Sequence, residues 1–137
     1  MKDIKILLAD DDVVVVDILA KRLSQEGYEI IKSHDGEDAL AKIKSESPDV
    51  IILDLSMPKK DGFEVLKEIR EHPPGPKWQP VIIVSGRNEL DDMKQGYSLE
   101  ADHYLVKPCS MDEILKAIRL MLALIPQRKA PDPNDKG

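Results

Sequence analysis

The chain has 137 residues, a length typical of one domain, and 42% of them are hydrophobic, which is enough for a buried core. Its formal net charge of −6 argues against nucleic acid or an anionic membrane as the main partner. A single cysteine excludes an internal disulfide, and no stretch approaches the ~20 apolar residues of a membrane span, so we expect a soluble, cytoplasmic protein.

Short apolar runs rich in β-branched residues alternate with segments of helical spacing along the chain. The runs predict five strands, at residues 4–9, 28–32, 50–53, 81–84 and 103–106. After each strand, apolar residues recur every three or four positions, which is the period of a helix packed on one face. This alternation is typical of an α/β fold.

The predicted helices differ in the strength of their apolar stripes. The first helix should stop near Gly27. Its stripe consists of Val15, Ile18, Leu19 and Leu23. The stripe of the fourth helix, over residues 88–99, is thin and consists of Leu90, Met93 and Tyr97. The last helix has a strong stripe and should end at or before Pro126, because a proline disfavours helical geometry in the residue before it.

A doubly wound, five-stranded parallel sheet with helices on both faces is the fold that this order predicts. The continuous apolar strands agree, because strands covered on both faces need not alternate. We expect the flavodoxin-like strand order 2-1-3-4-5, with its topological switch point between the first and third strands. Residues 1–125 are assigned to this domain, and the polar, proline-rich residues 126–137 to a tail or linker.

Polar residues follow four of the predicted strands at the point where each strand ends. They are Asp10, Asp11 and Asp12 after the first strand, Asp54 after the third, Ser85 after the fourth and Lys107 after the fifth. The carboxyl ends of parallel strands share one edge of the sheet, where α/β folds place their sites. So many carboxylates in one place call for a cation, and oxygen ligands suit Mg²⁺. The histidines do not cluster with each other or with the cysteine, so the sequence predicts no zinc site. They are interpreted as surface or loop residues, and they are His34, His72 and His103.

Asp54 is the candidate nucleophile of this cluster. It would end a strand in the middle of the sheet, and an aspartate can attack a phosphoryl group to form an acyl phosphate. Mg²⁺, the ammonium of Lys107 and the hydroxyl of Ser85 could then bind the phosphoryl oxygens. Taken singly, each residue also has an ordinary interpretation, such as a helix cap for Asp12 or Asp61.

In four segments the chain resembles the receiver domain of the bacterial two-component response-regulator family. The segments are KILLADDD, DVIILDLSMPKKDGFEVL, PVIIVSG and DHYLVKP, in this order and near the family's spacing. The resemblance covers residues 4–125, and the combination of segments is far more specific than any one of them. It implies a signalling domain that takes a phosphoryl group from a histidine kinase or a phosphotransfer protein.

The resemblance implies a role for each residue of the cluster. Asp10 and Asp11 match the family's Mg²⁺-binding acidic pair, and Asp54 matches the phosphoacceptor. Ser56 matches the residue whose backbone carbonyl reaches the metal. Lys107 matches the lysine that contacts the phosphoryl group, in a Lys–Pro bond that is typically cis in the family.

Ser85 and Tyr104 match the family's switch hydroxyl and switch aromatic. The resemblance implies that Ser85 moves toward the phosphoryl oxygens and vacates space for Tyr104 to rotate inward. The fourth helix, fifth strand and fifth helix then form the surface that contacts a downstream protein effector or an output domain. The family also allows a homodimer on phosphorylation.

The chain departs from the family's pattern at several positions. Ser56 stands where Asn or Asp is frequent, and Arg87 lies two residues after the switch serine. Both positions help to set the dephosphorylation rate in the family, which leaves the phosphoryl lifetime open. Glu100 and Cys109 stand where glycine and phenylalanine are frequent. The connection over 72–80 is longer than usual, and its tryptophan is interpreted either as locally packed or as a partner contact.

The resulting interpretation is a phosphorelay switch that modifies itself and is not an enzyme acting on outside substrates. A degenerate receiver, acting as an interaction module without phosphorylation, is the first alternative. The second is a phosphohydrolase similar to the haloacid dehalogenases, because Asp54-Leu55-Ser56 has a faint likeness to their motif. That family places its motif after the first strand and adds a cap domain, for which 137 residues leave no room.

Overall fold

The computed structural model describes residues 3–87 and 89–128 and shows strands and helices in strict alternation over that range. The strands are β1 (Lys5–Ala9), β2 (Glu29–Ser33), β3 (Val50–Leu53), β4 (Val81–Ser85) and β5 (His103–Val106). The helices are α1 (Val13–Gln25), α2 (Gly36–Glu46), α3 (Gly62–Glu71), α4 (Leu90–Ser98) and α5 (Met111–Arg128). All five predicted strands are confirmed, each boundary to within one residue.

The strands form one parallel sheet in the order β2-β1-β3-β4-β5, as predicted. At its centre, Ala9 of β1 pairs with Leu53 of β3. The residues that follow this pair, Asp10 and Asp54, therefore leave the sheet side by side. The Asp54 N–H donates to the Ala9 carbonyl oxygen at 2.9 Å. Strand register alone thus brings two carboxylates to the switch point of the sheet.

Alternate residues of the strands pack into two cores, one on each face of the sheet. On one face, Ile6 and Leu8 of β1 pack with residues of α1 and α5. On the other face, Leu7 and Ala9 pack with residues of α2 and α3. Both cores are mainly aliphatic, as the 4% aromatic content of the chain requires.

The face that α1 buries differs from the predicted stripe. The residues that it buries are Val16, Ala20 and Leu23. Ile18 is 62% exposed, and Val15 and Leu19 are only partly buried. The start of the helix explains the difference, because four consecutive valines at 13–16 give no helical phase of their own. Asp12 caps the helix by accepting from the Val15 N–H at 3.2 Å, which fixes where the helix begins.

α5 continues through Pro126 to Arg128, so the expected stop at or before that proline is wrong. A proline in the last turn removes only one helical N–H bond, to the carbonyl four residues earlier. Upstream, the helix is held by buried residues that include Ile114, Ile118 and Met121. Residues 126–128 therefore extend α5, and 129–137 of the predicted tail lie outside the described residues. Neither α5 nor any other described helix is long and apolar enough to cross a membrane.

α4 is weakly anchored, as its thin stripe predicted, although it begins only at Leu90. Leu90 and Tyr97 are exposed, contrary to their place in the predicted stripe. Met93 is partly buried, and Gly96 is buried. Within the described part of the chain, the Glu89 side chain makes no capping hydrogen bond to α4. Little side-chain surface therefore holds this helix on the sheet, which is typical of an element that can move.

The opposite edge of the sheet is tied together by Arg70 at the end of α3. Its Nε donates to the Glu100 carbonyl oxygen at 3.1 Å, and its Nη1 donates to the Gln79 carbonyl oxygen at 2.9 Å. Its Nη2 lies 2.9 Å from Oδ2 of Asp102, and the same carboxylate oxygen accepts from the Val81 N–H at 2.8 Å. One guanidinium thus joins the α3–β4 and α4–β5 connections.

The proline-rich connection between α3 and β4 packs against the domain itself. Trp78 is half-buried and lines a cavity of about 290 Å³ together with Pro73, Pro74 and Pro76. Gln79 is buried, and its side-chain amide donates to the Pro48 carbonyl oxygen at 3.0 Å. These contacts favour the locally packed interpretation of the tryptophan.

Candidate functional site

The carboxyl ends of β1 and β3 bring three carboxylates together. Asp10 and Asp54 are each 7% exposed, whereas Asp11 is exposed to solvent. One carboxylate oxygen from each of the three lies within 4.8 Å of the other two. The predicted convergence of these strand ends is therefore confirmed, and the cluster offers the hard oxygen ligands that a divalent cation prefers.

Lys107 is the cation of this cluster. The pairing of β4 with β5 puts it at the same edge as Ser85, and its N–H donates to the Ser85 carbonyl oxygen at 2.8 Å. Its Nζ lies 2.7 Å from Oδ2 of Asp10 and 3.5 Å from Oδ2 of Asp54. The Lys107–Pro108 peptide bond is cis, as expected.

The two buried carboxyls have opposite pKa shifts. Burial opposes the charge on Asp10, but hydrogen bonds from Lys107 and from the Asp12 N–H outweigh it, so the pKa of Asp10 lies below its ordinary value. Burial and the negative charge of Asp10 together raise the pKa of Asp54, against the attraction of Lys107 and a hydrogen bond from the Ser56 N–H. Asp10 is thus an anion paired with an ammonium. Asp54 carries a less stable charge, which a second cation would favour.

The pKa of Lys107 shifts in the direction that this pairing requires. Burial alone would lower it, but the hydrogen bond to Asp10 and the negative charges of Asp54 and Asp10 raise it above its ordinary value. The ammonium therefore keeps its proton at neutral pH and remains a fixed positive charge beside Asp54.

Two neighbouring acids cap helices and do not belong to the cluster. Asp12 caps α1, and its N–H donates to Oδ1 of Asp10 at 2.9 Å. Asp61 caps α3 in a reciprocal capping box with Glu64. The helix-cap interpretation of Asp12 and Asp61 is confirmed, and both caps help to fix the loops that surround the cluster.

The family model of the response regulator receiver domain matches residues 6–119, which is most of the chain. The chain belongs to this family. It is a receiver domain of two-component response regulators, and the resemblance carried by its four sequence segments is confirmed.

Curated relatives of this receiver domain include two named as transcriptional regulators. The alkaline phosphatase synthesis transcriptional regulatory protein PhoP of Bacillus subtilis (strain 168) is 37% identical over 118 residues, which cover 86% of this chain and 48% of PhoP. The probable transcriptional regulator ycf27 of Porphyridium aerugineum is 40% identical over 122 residues, which cover 89% of this chain and 49% of that protein. The chain thus spans about half the length of the curated relatives it matches.

Solved structures match the receiver domain over nearly their whole length. The CheY-like response regulator receiver domain protein from Methanospirillum hungatei JF-1 has a TM-score of 0.85 at 28% identity, covering 92% of this chain and 98% of that one. The CheX-CheY-BeF3-Mg²⁺ complex from Borrelia burgdorferi matches with a TM-score of 0.79 at 30% identity, covering 87% of this chain and 89% of that one. These likenesses confirm the flavodoxin-like fold of the receiver domain.

The backbone of Arg87 joins the two predicted switch residues of the receiver domain. Ser85 is fully buried, and its Oγ accepts from the Arg87 N–H at 3.2 Å. The hydroxyl of the buried Tyr104 donates to the Arg87 carbonyl oxygen at 2.6 Å. Burial, and then the charge of Asp92, raise the pKa of Tyr104, so that its hydroxyl keeps its proton and remains a donor.

The two predicted rate-tuning positions lie at the rim of the site. Ser56 is exposed, and its N–H donates to Oδ1 of Asp54 at 3.3 Å. The Arg87 guanidinium lies 5.8 Å from the ring centroid of Phe63, and its Nη1 is 3.9 Å from Oδ1 of Asp92. Arg87 therefore reaches from the β4–α4 connection toward both α3 and α4.

Sequence reasoning missed His34, which stands beside the acidic cluster. Its Nδ1 lies 3.1 Å from the Asp10 carbonyl oxygen. The Asp10 N–H in turn donates to the Ser33 carbonyl oxygen at 3.1 Å. Its position in the sequence could have indicated this, because His34 directly follows β2 and leaves the sheet at the same edge as the cluster. The β2–α2 connection is thus part of the wall of the site.

Proposed function

We propose that this receiver domain accepts a phosphoryl group on Asp54 in a Mg²⁺-dependent reaction. The placement of Asp54 carries the proposal: it directly follows the central strand β3, and its buried carboxylate lies beside two further carboxylates and 3.5 Å from the Lys107 ammonium. The donor is a histidine kinase or a phosphotransfer protein, as the family implies. The domain catalyses only its own phosphorylation and dephosphorylation.

The donor set of the cluster fits Mg²⁺. Asp10, Asp11 and Asp54 provide oxygen ligands, and the single ammonium of Lys107 cannot balance three ionised carboxylates. The backbone carbonyl of Ser56 is assigned as a further ligand on the family's pattern. When bound, Mg²⁺ neutralises negative charge on the transferring phosphoryl group.

The side chains around Asp54 divide the remaining work. A carboxylate oxygen of Asp54 forms the new bond to phosphorus, and the donor's bond to phosphorus breaks with its electron pair leaving on the donor. The ammonium of Lys107, already held 3.5 Å from Oδ2 of Asp54, offers a positive charge to the phosphoryl oxygens. Ser85 offers its hydroxyl once it turns away from the Arg87 N–H.

Arrival of the phosphoryl group shifts the balance between two packings of the β4–α4 region. The group adds roughly −1.5 to −2 charges beside Ser85. Since the Arg87 backbone bonds both Ser85 and Tyr104, a move of Ser85 changes the support of the Tyr104 hydroxyl. The weakly anchored α4 then repositions, and the surface of α4, β5 and α5 contacts a downstream protein effector or an output domain.

The rim of the site on the α1 side is apolar and suits a protein donor. Val14 and Ile18 of α1 are 66% and 62% exposed. Next to them lies a groove of about 410 Å³, lined by residues that include Val15, Ile114 and Lys107. Lys107 lines this groove and also contacts the acidic cluster, so the groove lies beside the site. A phosphohistidine that reaches Asp54 brings its protein against this rim, and the histidine kinase or phosphotransfer protein docks there.

Replacing Val14 and Ile18 together by serine is expected to slow phosphotransfer from a purified histidine kinase that labels the wild-type domain by about 10-fold, because apolar contact area is lost. Labelling by acetyl phosphate, which needs no docking surface, should stay at the wild-type rate. Leu120→Ser, which changes an exposed apolar residue of α5, is the matched control. Equal losses with both donors would show that the pair acts on the site and not on docking.

Labelling by acetyl phosphate with and without Mg²⁺ tests the proposed reaction directly. Mass spectrometry of the intact chain should show one phosphoryl group per molecule, on the peptide that contains Asp54. Removal of Mg²⁺ by EDTA should slow labelling by at least about 100-fold, since the phosphoryl charge is then poorly neutralised. Labelling that is independent of Mg²⁺, or confined to another residue, would contradict the proposal. Steady hydrolysis of p-nitrophenyl phosphate would favour the phosphohydrolase alternative.

A further inference from the structure

Gly62, the first residue of α3, lets that helix close on the backbone of the phosphoacceptor. Its N–H donates to the Leu55 carbonyl oxygen at 3.0 Å. A Cβ at Gly62 would overlap the Asp54 carbonyl oxygen and lie 2.8 Å from the Cα of Leu55. Because these are backbone atoms and not the end of a flexible side chain, a larger residue would move the strand end or the helix.

Gly36, the first residue of α2, makes an equally close approach from another direction. Its N–H donates to the Pro58 carbonyl oxygen at 3.3 Å. A Cβ at Gly36 would overlap the Lys60 carbonyl oxygen and lie 2.6 Å from the Lys60 carbonyl carbon. Between these contacts the chain turns sharply at Lys59, whose φ is +70°. Gly36 thus packs directly against residues 58–60, the second half of the loop between β3 and α3.

The loop held between the two glycines carries the groups that surround the Asp54 carboxylate. Gly62 fixes its start at Leu55, and Gly36 fixes residues 58–60. Between them lies Ser56, whose N–H donates to Oδ1 of Asp54 at 3.3 Å. A shift of about 1 Å where the loop meets Gly36 would therefore displace the Ser56 N–H, which orients the Asp54 carboxylate. Misplacements of that size can slow a reaction by up to ~100-fold.

The geometry points to Gly36 and Gly62 as positioning residues for the phosphoacceptor. Because neither has a Cβ, both pack closely against the backbone of the loop over 55–60, and this packing holds the Ser56 backbone against Asp54. This inference rests on the proposed phosphorylation of Asp54. Gly36 begins α2 and meets the loop at Pro58 and Lys60, so it acts on Asp54 through the loop. A merely structural glycine would change the stability of the fold and leave the Ser56 amide where it is.

Gly36→Ala in the full chain tests the inference, with Gly75→Ala as the matched control. Among the described residues, a Cβ at Gly75 would meet no atom within 4 Å. Gly36→Ala should slow Mg²⁺-dependent labelling by acetyl phosphate by about 10-fold. In the Mg²⁺-free protein, it should also shift the ¹H–¹⁵N resonances of Leu55 and Ser56. Gly75→Ala should match the wild type in both measurements.

A second variant keeps the test decisive if Gly36→Ala does not fold. Lys60→Gly introduces no clash but makes the backbone that packs against Gly36 more flexible. It should slow labelling by acetyl phosphate and shift the Ser56 amide resonance in the folded protein. If the folded variants are labelled at the wild-type rate, the inference is overturned and the proposed function stands. The same holds if labelling falls only in proportion to the unfolded fraction and the Ser56 amide resonance does not move. A wild-type chain that acetyl phosphate does not label would overturn the proposed function and the inference together.

Discussion

Asp54→Asn is expected to abolish labelling by acetyl phosphate while leaving the receiver domain folded. The amide has nearly the shape of the carboxylate, so β3 and the surrounding core are preserved. It has no negative charge with which to attack phosphorus, and the rate should fall by at least about 100-fold. Mass spectrometry of the intact chain after incubation with acetyl phosphate and Mg²⁺ measures this directly.

Asp12→Asn is the control for that experiment. Asp12 belongs to the same acidic run, but it caps α1, and asparagine is an equally good cap. Its labelling should match the wild type. Loss of labelling in Asp12→Asn, or its survival in Asp54→Asn, would contradict the division of these acids into a helix cap and a phosphoacceptor.

The stability of Asp54→Asn is expected to depend on pH in a defined direction. Burial and the charge of Asp10 raise the pKa of Asp54 in the folded domain. In the wild type, the stabilisation associated with protonated Asp54 is complete below the ordinary carboxyl pKa. It is lost as the pH rises through the folded-state value. The asparagine does not titrate, so the stability of Asp54→Asn relative to the wild type should increase from pH 4 to pH 7. Urea unfolding at several pH values measures this difference.

The features that the sequence predicted well depend on residues close together in the chain. Five apolar runs define five strands, and the parallel order follows from their alternation with helices. The residue after each strand then lies at one edge, which is why the sequence alone predicts that Asp10, Asp54 and Lys107 lie together. Only the pairing of Ala9 with Leu53 was needed to turn this expectation into adjacent carboxylates.

The features that escaped prediction depend on contacts between distant parts of the chain. Gly36 meets Lys60 across 24 positions, and the sequence near either residue carries no sign of the other. The buried face of α1 escaped prediction for a different reason, because four consecutive valines fit several helical faces. The local bias of Pro126 against helix is small beside the packing of α5, so the helix continues past it.

Arg70→Met is expected to cause the largest loss of stability among the variants considered. The guanidinium is 15% exposed and the Asp102 carboxylate 6%, so the substitution leaves a nearly buried negative charge without this partner. Hydrogen bonds to the Gln79 and Glu100 carbonyl oxygens are lost as well. The free energy of unfolding should fall by about 3 kcal/mol, as when one member of a buried ion pair is removed. Urea unfolding measures it.

Two comparisons separate this effect from the loss of any arginine. Arg22→Met removes an exposed pair with Glu26 one helical turn away and should cost less than about 0.5 kcal/mol. Adding Asp102→Asn to Arg70→Met removes the carboxylate charge that the guanidinium faced and keeps an acceptor for the Val81 N–H, so part of the loss should be recovered. Since Arg70 lies at the edge of the sheet opposite Asp54, labelling per folded molecule should be unchanged. A slower rate would mean that the α4–β5 connection, which Arg70 holds at Glu100, also governs the geometry of the phosphoacceptor site.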